Sequence, residues 1–396
     1  MSGHFPNTRD LRIDFFRGIA LVCMFWDHIP GNPLGYLTLR NFGLSDAAEL
    51  FVFLAGYGAM LAYGRVYVRD GYFPAALKAL RRAWVLYVAH VFLLAQLLAV
   101  VFVANARVET RDFISEMGLG YFLNEPEAAL VGGVLLQFKP VLMDPLPLYV
   151  ILMALLAGLL PLLVRHPWWV LVPSCLLWLL EKHVGLNLPA APEGVWFFNP
   201  LAWQFLFFLG ACCARPRPLI RLHAIDRRAF DRLLMPLSCA FLLGSFVLSL
   251  SWRAPDLHDA VMPLTVAQWI YPISKTDLDL LRVLHFLALA YVAARWIRPG
   301  AWLQRGVAAT LCLMGRYSLE VFCLSVLLAP LADAAGALSG DSPSMQVLVG
   351  MTGAGLMAVL AVWLDMLRRP QDVMDRPAAD AEANLPQQVP ARQGSL

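Results

Sequence analysis

Apolar residues run along this chain in long blocks, each closed by a short stretch of charged, Pro or Gly residues. A membrane-spanning helix needs roughly 20 mostly apolar residues. Ten blocks approach that length: 12–30, 46–64, 79–103, 144–164, 167–182, 200–214, 233–252, 280–297, 307–331 and 346–367. Those at 167–182 and 200–214 are the shortest. The pattern predicts an all-α polytopic membrane protein, with about ten transmembrane helices in one bundle. An even number of spans puts both termini on one side, and the basic residues say which. Lys and Arg crowd the two tails and the even-numbered loops, whereas the odd-numbered loops hold only Arg40, Arg107, Arg111, Lys139, Lys182, Arg253 and Lys275. Short cytoplasmic loops carry the excess of basic residues, so both termini are expected in the cytoplasm.

The same reading divides the chain into a cytoplasmic N-terminal tail (1–11), one membrane domain (12–367) and a cytoplasmic tail (368–396) that is rich in Pro, Ala and Gln and expected to be disordered. The longest outward loop, 104–143, is too short and too polar to form a domain of its own. No cleavable signal peptide is expected, because the first apolar block carries internal charges and runs into "PGNP". Composition narrows the picture further. With 59% hydrophobic and 15% charged residues, most soluble classes are removed, and the partner to expect is the lipid bilayer rather than nucleic acid. The seven cysteines all fall in apolar blocks without metal-ligand spacing, which predicts inert buried thiols and no metal site. Gly-rich phosphate loops and "HExxH" are absent from the sequence.

Candidate chemistry therefore has to come from polar residues inside the spans, which are costly there and mark function by default. "DFFRGIALVCMFWDHIPGNP" holds Asp14, Arg17, Asp27 and His28. Arg17 and His28 are eleven residues apart, roughly 16 Å along a helix and on one face. With the amino terminus inside, Arg17 sits towards the cytoplasm and His28 towards the outer surface. The next span opens with Asp46 and Glu49 at the level of Asp27 and His28; an acid beside a histidine can orient the ring and build a general base. Arg282 and His285 lie one turn apart near the outer end of the eighth span. Arg316 and Glu320 in "MGRYSLEVF" are four apart and expected to pair. His90, inside the third span, reads as a helix contact. Arg81 and Arg82 stand at the cytoplasmic mouth of that span, where a polyanionic cofactor would meet them.

Arg17 followed after ten residues by His28 matches the R-x10-H pattern of the acyltransferase-3 membrane family. The segments "RDLRIDFFRGIALVCMFWDHIPGNP", "TLRNFGLSDAAELFVFLAGY" and "MGRYSLEVF" resemble its OpgC branch, succinyltransferases of osmoregulated periplasmic glucans, over about residues 9 to 370. The resemblance implies a ten-helix enzyme of the bacterial inner membrane. It would move an acyl group, with succinyl-CoA the expected donor, from cytoplasmic acyl-CoA to a hydroxyl of a periplasmic glucan. It implies His28 as the essential catalytic residue, a required Arg17, and Arg81 with its neighbours Lys78 and Arg82 as the cofactor-side basic motif. A second histidine frequent in the broader family is replaced here by Ser325. In this reading His28 is the general base, oriented by Asp27 or Glu49, and Arg17 holds the cofactor or offsets developing charge. Arg282, His285, Arg316 and Glu320 are candidates for contacts with the acyl carboxylate or the glucan. Acyl-CoA is a co-substrate, and no permanently bound cofactor is expected. The alternatives are acetyl transfer to another extracytoplasmic glycan and a secondary transporter. The sequence leaves room for a homo-oligomer.

Overall fold

A computed structural model describes residues 9–215 and 227–374. Most of the N-terminal tail, part of the basic sixth loop and most of the C-terminal tail lie outside these residues. The described chain is all-α, without a β-strand beyond one isolated bridge between Pro189 and Val195. Its long helices are α1 (Leu11–Asp27), α2 (Ala47–Asp70), α3 (Tyr72–Asn105), α4 (Pro145–Arg165), α5 (Trp168–Val184), α6 (Pro200–Cys213), α7 (Arg227–Ser251), α8 (Leu280–Trp296), α9 (Gly306–Arg316), α10 (Ser318–Leu338) and α11 (Pro343–Met374). Among the described residues, six helices are long and apolar enough to cross a membrane: α2, α3, α4, α7 from Phe230, α10 and α11. Large apolar side chains such as Phe73, Trp84, Phe92, Leu176, Leu243 and Val359 stay exposed on the outside of the bundle. A membrane protein needs such a surface towards lipid.

Nine of the ten blocks each correspond to one helix. The ninth, 307–331, does not. Tyr317 leaves helical backbone geometry (φ −101°, ψ 38°) and divides it into α9 and α10. The Tyr317 ring is buried, and its hydroxyl donates to Asp365 of α11 at 3.2 Å. Two other boundaries also move. α3 begins at Tyr72 and runs for 34 residues, roughly 50 Å, so Lys78, Arg81 and Arg82 lie within its first turns and not in a loop before it. α11 continues to Met374, so the tail expected from 368 begins as helix.

Small residues let the helices touch backbone to backbone, which is how apolar helices associate without a solvent-driven force. A Cβ on Gly56 of α2 would collide with the Phe207 carbonyl of α6, and one on Gly210 of α6 with the Phe53 carbonyl of α2. The same reciprocity joins α1 to α9, through Gly18 against Leu311 and Gly315 against Asp14. Around these seams Leu21, Phe25, Met60, Trp203 and Phe207 are almost wholly buried.

Polar contacts between distant segments gather at two ends of the bundle. At one end Arg12 donates to the Ile297 carbonyl, Arg215 to that of Val164, Arg295 pairs with Asp231, and Arg368 with Glu320. At the other, Lys275 pairs with Asp46, Lys182 with Asp279, and Arg111 with Asp333 and Asp341.

Candidate active site

Asp10 caps the N-terminus of α1 by accepting from the Arg12 N–H at 3.0 Å. The sequence that follows contains no proline before Pro30, so α1 holds Arg17 and His28, its C-cap residue, at two depths along one rigid element. The helix stops at His28, whose backbone N–H bonds the Phe25 carbonyl at 3.2 Å, ahead of Pro30 and Gly31. The loop then coils through two short 3-10 turns, Pro33–Leu37 and Leu39–Asn41, and brings Thr38 and Arg40 back over the end of α1.

Two cavities follow this helix. The larger, 490 Å³, holds His28 with Asp27, Arg40, Asp46, Lys139, Asp144, Lys275 and Ser325 on its wall. The smaller, 200 Å³, is lined by Arg17, Gly58, Tyr63 and Arg82. Phe51, Pro145, Tyr149 and Phe322 line both. The cavities are therefore adjacent, and these four residues form a waist between them. Phe51 and Tyr149 meet edge to face across it, with ring centroids 5.6 Å apart.

The Arg17 guanidinium donates to the Leu54 carbonyl at 2.6 Å and lies against Gly58, where a Cβ would come within 2.6 Å of it. No carboxylate pairs with it among the described residues. Asp14, the nearest acid on its own face, is held by Arg9 through two bonds of 2.6 and 2.8 Å. A guanidinium without a counter-ion inside a bundle is suited to an anionic or carbonyl ligand. His28 is accessible from the larger cavity, and among the described residues no carboxylate is bonded to its ring. Asp27 accepts from Thr38 and pairs with Arg40 at 3.2 Å. Glu49 accepts from the Asp46 N–H at 2.9 Å and pairs with Arg282 at 2.6 Å. The structure thus places neither Asp27 nor Glu49 on the imidazole, although both are expected there as orienters, and gives each acid other partners.

Arg282 also reaches Asp46 at 3.1 Å, and Lys275 pairs with the same carboxylate at 2.6 Å. Burial opposes ionisation of Asp46, but Lys275 and Arg282 outweigh it and hold the carboxyl below the usual range. Glu49 and Arg282 thus build the wall beside the cavity and do not line it. His285 bonds the Ser45 hydroxyl at 2.7 Å and packs against Gly43. The expected Arg316–Glu320 pair does not form. The turn at Tyr317 breaks the four-residue helical spacing, so Arg316 pairs with Asp365 at 3.0 Å and Glu320 with Arg368 at 3.3 Å. Of the three cations at the start of α3, Arg82 lines the smaller cavity, while Lys78 and Arg81 are exposed outside it. His90 is fully buried and lines neither cavity.

The cavity adds residues that helical spacing does not single out: Arg40, Lys139, Asp144, Lys275 and Tyr149. The Lys139 ammonium donates to the Leu136 carbonyl at 3.2 Å and sits 4.0 Å over the Trp196 ring, with no carboxylate at ion-pair distance among the described residues. One signal for the three cations was present: they belong to the few basic residues of the odd-numbered loops. Among the described residues no cluster of His, Cys, Asp or Glu is suited to a metal ion.

A family model described as OpgC protein matches residues 9–369. No curated protein and no solved structure matches the chain.

Proposed function

Because the chain belongs to the OpgC family, we propose that it is an O-acyltransferase of the bacterial inner membrane that moves a succinyl group from cytoplasmic succinyl-CoA to a hydroxyl of a periplasmic glucan. The observation that carries this reading is the pair of cavities, one walled by Arg17 and Arg82 and the other by His28, meeting at a single waist. A donor and an acceptor that never share a compartment need such an arrangement. Ten helices cross the membrane in this proposal: α1 to α8, α10 and α11. α9 lies against the cytoplasmic half of α1, and both termini are inside. The polar contacts at the two ends of the bundle support that order, since each joins segments assigned to the same face.

Acyl-CoA enters the smaller cavity, thioester first, with Arg82 near its entrance and the Arg17 fork along its path. The glucan hydroxyl enters the larger cavity and gives its proton to the His28 imidazole as its oxygen bonds to the thioester carbon. The carbon–sulfur bond then breaks, and the thiolate takes up that proton and leaves as CoA. A positioned base contributes about 10² to 10⁴ in rate to such a step. The free carboxylate of a succinyl group would meet Lys139, the cation on the larger cavity's wall that has no carboxylate at ion-pair distance among the described residues.

The test uses purified protein, labelled succinyl-CoA and a periplasmic glucan. Labelled ester and free CoA should form together, and His28→Gln should abolish both while the protein still purifies normally. The substitution leaves no carboxylate stranded, because none is bonded to the ring. Retention of more than about a tenth of the rate would exclude His28 as the base. Uptake of glucan into proteoliposomes without acylation would replace this reading with transport.

A further inference from the structure

The reaction proposed above brings a thioester carbonyl and a hydroxyl together from opposite cavities, and the cavities share one place. Of its four residues, Phe51, Pro145 and Phe322 have no polar side-chain atom. The fourth is Tyr149. Its side chain is only 6% exposed, and its hydroxyl has no hydrogen-bond partner among the described residues. Buried polar atoms are almost always bonded, so a lone one asks for a reason. Packing does not supply it: a phenylalanine would make the same edge contact with Phe51 and leave nothing unpaired. The position is well held, since Tyr149 stands in the first turns of α4 between Pro145 and Pro147 on one side and buried Leu152 and Met153 on the other.

We propose that the Tyr149 hydroxyl donates a hydrogen bond to the thioester carbonyl oxygen and holds the negative charge that grows there as the acceptor oxygen bonds to the carbonyl carbon. This inference rests on the acyl-transfer reading. The tyrosine keeps its proton throughout. The acceptor's proton travels by His28 to the departing sulfur, so the sum remains hydroxyl plus thioester giving ester plus thiol. A donor fixed before reaction, in a site closed by apolar rings, costs no reorganisation when charge develops. Arg17, held to Leu54 on the smaller-cavity side, keeps the donor in line, and Tyr149 acts at the carbon that reacts.

Tyr149→Phe removes one oxygen that has no protein partner, so the variant should fold and melt as the wild type does. Its kcat with succinyl-CoA and glucan should fall about 100-fold, the usual loss for one such donor, with little change in acyl-CoA affinity. A second measurement needs no turnover. With ¹³C-carbonyl succinyl-CoA bound to the full-length protein, the carbonyl stretch should lie at lower frequency in wild type than in Tyr149→Phe. A variant that keeps more than about a third of kcat, or an unmoved carbonyl band, overturns the assignment. The two readings also fail separately. If wild type binds succinyl-CoA with the lowered band but acylates nothing, the transferase reading falls and the Tyr149 contact stands. If wild type transfers and Tyr149→Phe transfers equally well, the reverse holds.

Discussion

In the proposed reaction, Lys139 is where the larger cavity would tell a charged acyl group from a neutral one. Burial lowers its ammonium to about 8, against the opposing pull of Asp144, whose own carboxyl is raised by burial to about 6. Lys139→Met should lower kcat/KM for succinyl-CoA by about 10- to 100-fold, the worth of one charge-assisted hydrogen bond, and leave acetyl-CoA almost untouched. Equal losses for both donors would make Lys139 structural. The sign of the pH dependence follows from its cationic form, which is the one that binds. The preference for succinyl over acetyl should be full below pH 7, stay full below pH 6 where Asp144 becomes neutral, and fall as the pH rises through about 8. Arg17 allows a comparable test. Its fork already spends one arm on Leu54, so Arg17→Lys can keep either that bond or the ligand and not both. Severe loss of acyl-CoA binding is expected, measured by calorimetry on purified protein. Normal binding and turnover would make Arg17 a residue that only anchors α1 to α2.

Between elements, the seam of α2 and α6 is set by two glycines that each accept the other helix's backbone. Gly56→Val would force the seam open, and a strained core contact of this kind costs about 1 to 3 kcal/mol or more. The variant should lose monodispersity or unfold at lower temperature, whereas Gly158→Ala on α4, where a Cβ meets nothing within 4 Å, should behave as wild type. A Gly56→Val protein as stable as the Gly158→Ala one would remove the seam from the account. Such contacts mark what the chain reveals by itself and what it withholds. Nine helices are legible because an apolar block of spanning length has one way to satisfy its backbone in lipid. Arg17 and His28 are legible together because one unbroken helix carries the first and ends at the second. The turn at Tyr317 is not, since "GRYSLE" contains no proline and the carboxylate that the Tyr317 hydroxyl meets, Asp365, lies 48 positions away. That turn also undoes the Arg316–Glu320 pair. Glu49 and Arg282 fail for a related reason. The sequence offers Glu49 as an orienter of His28 and Arg282 as a ligand contact, whereas the two satisfy each other across 233 positions. Tyr149 carries no local signal, and Lys139 only its place among the few basic residues of the odd-numbered loops, because packing alone puts the one at a waist and the other on a cavity wall.

At the scale of the whole molecule the proposal makes the membrane part of the mechanism. Arg82 lines the smaller cavity, together with Ser318 at the start of α10, while the larger cavity is walled by Lys139, Asp144 and Lys275 from segments at the opposite end. If the basic-residue bias orients the bundle as proposed, the two substrates approach from opposite faces and meet only at the waist. In oriented vesicles, succinyl-CoA supplied to the cytoplasmic face and glucan to the outer face should yield acylated glucan, with free CoA appearing on the cytoplasmic side. Glucan confined to the cytoplasmic side should stay unmodified. Arg82→Ala should raise the KM for acyl-CoA several-fold and leave that for glucan unchanged, because a cation at the inner entrance touches phosphates and not the acceptor. Arg81→Ala, which removes a neighbouring cation outside the cavity, should have the smaller effect. Product formed equally well with both substrates on the cytoplasmic face would sink the through-membrane mechanism even if His28 proved to be the base, since the waist would then join two routes from the same side.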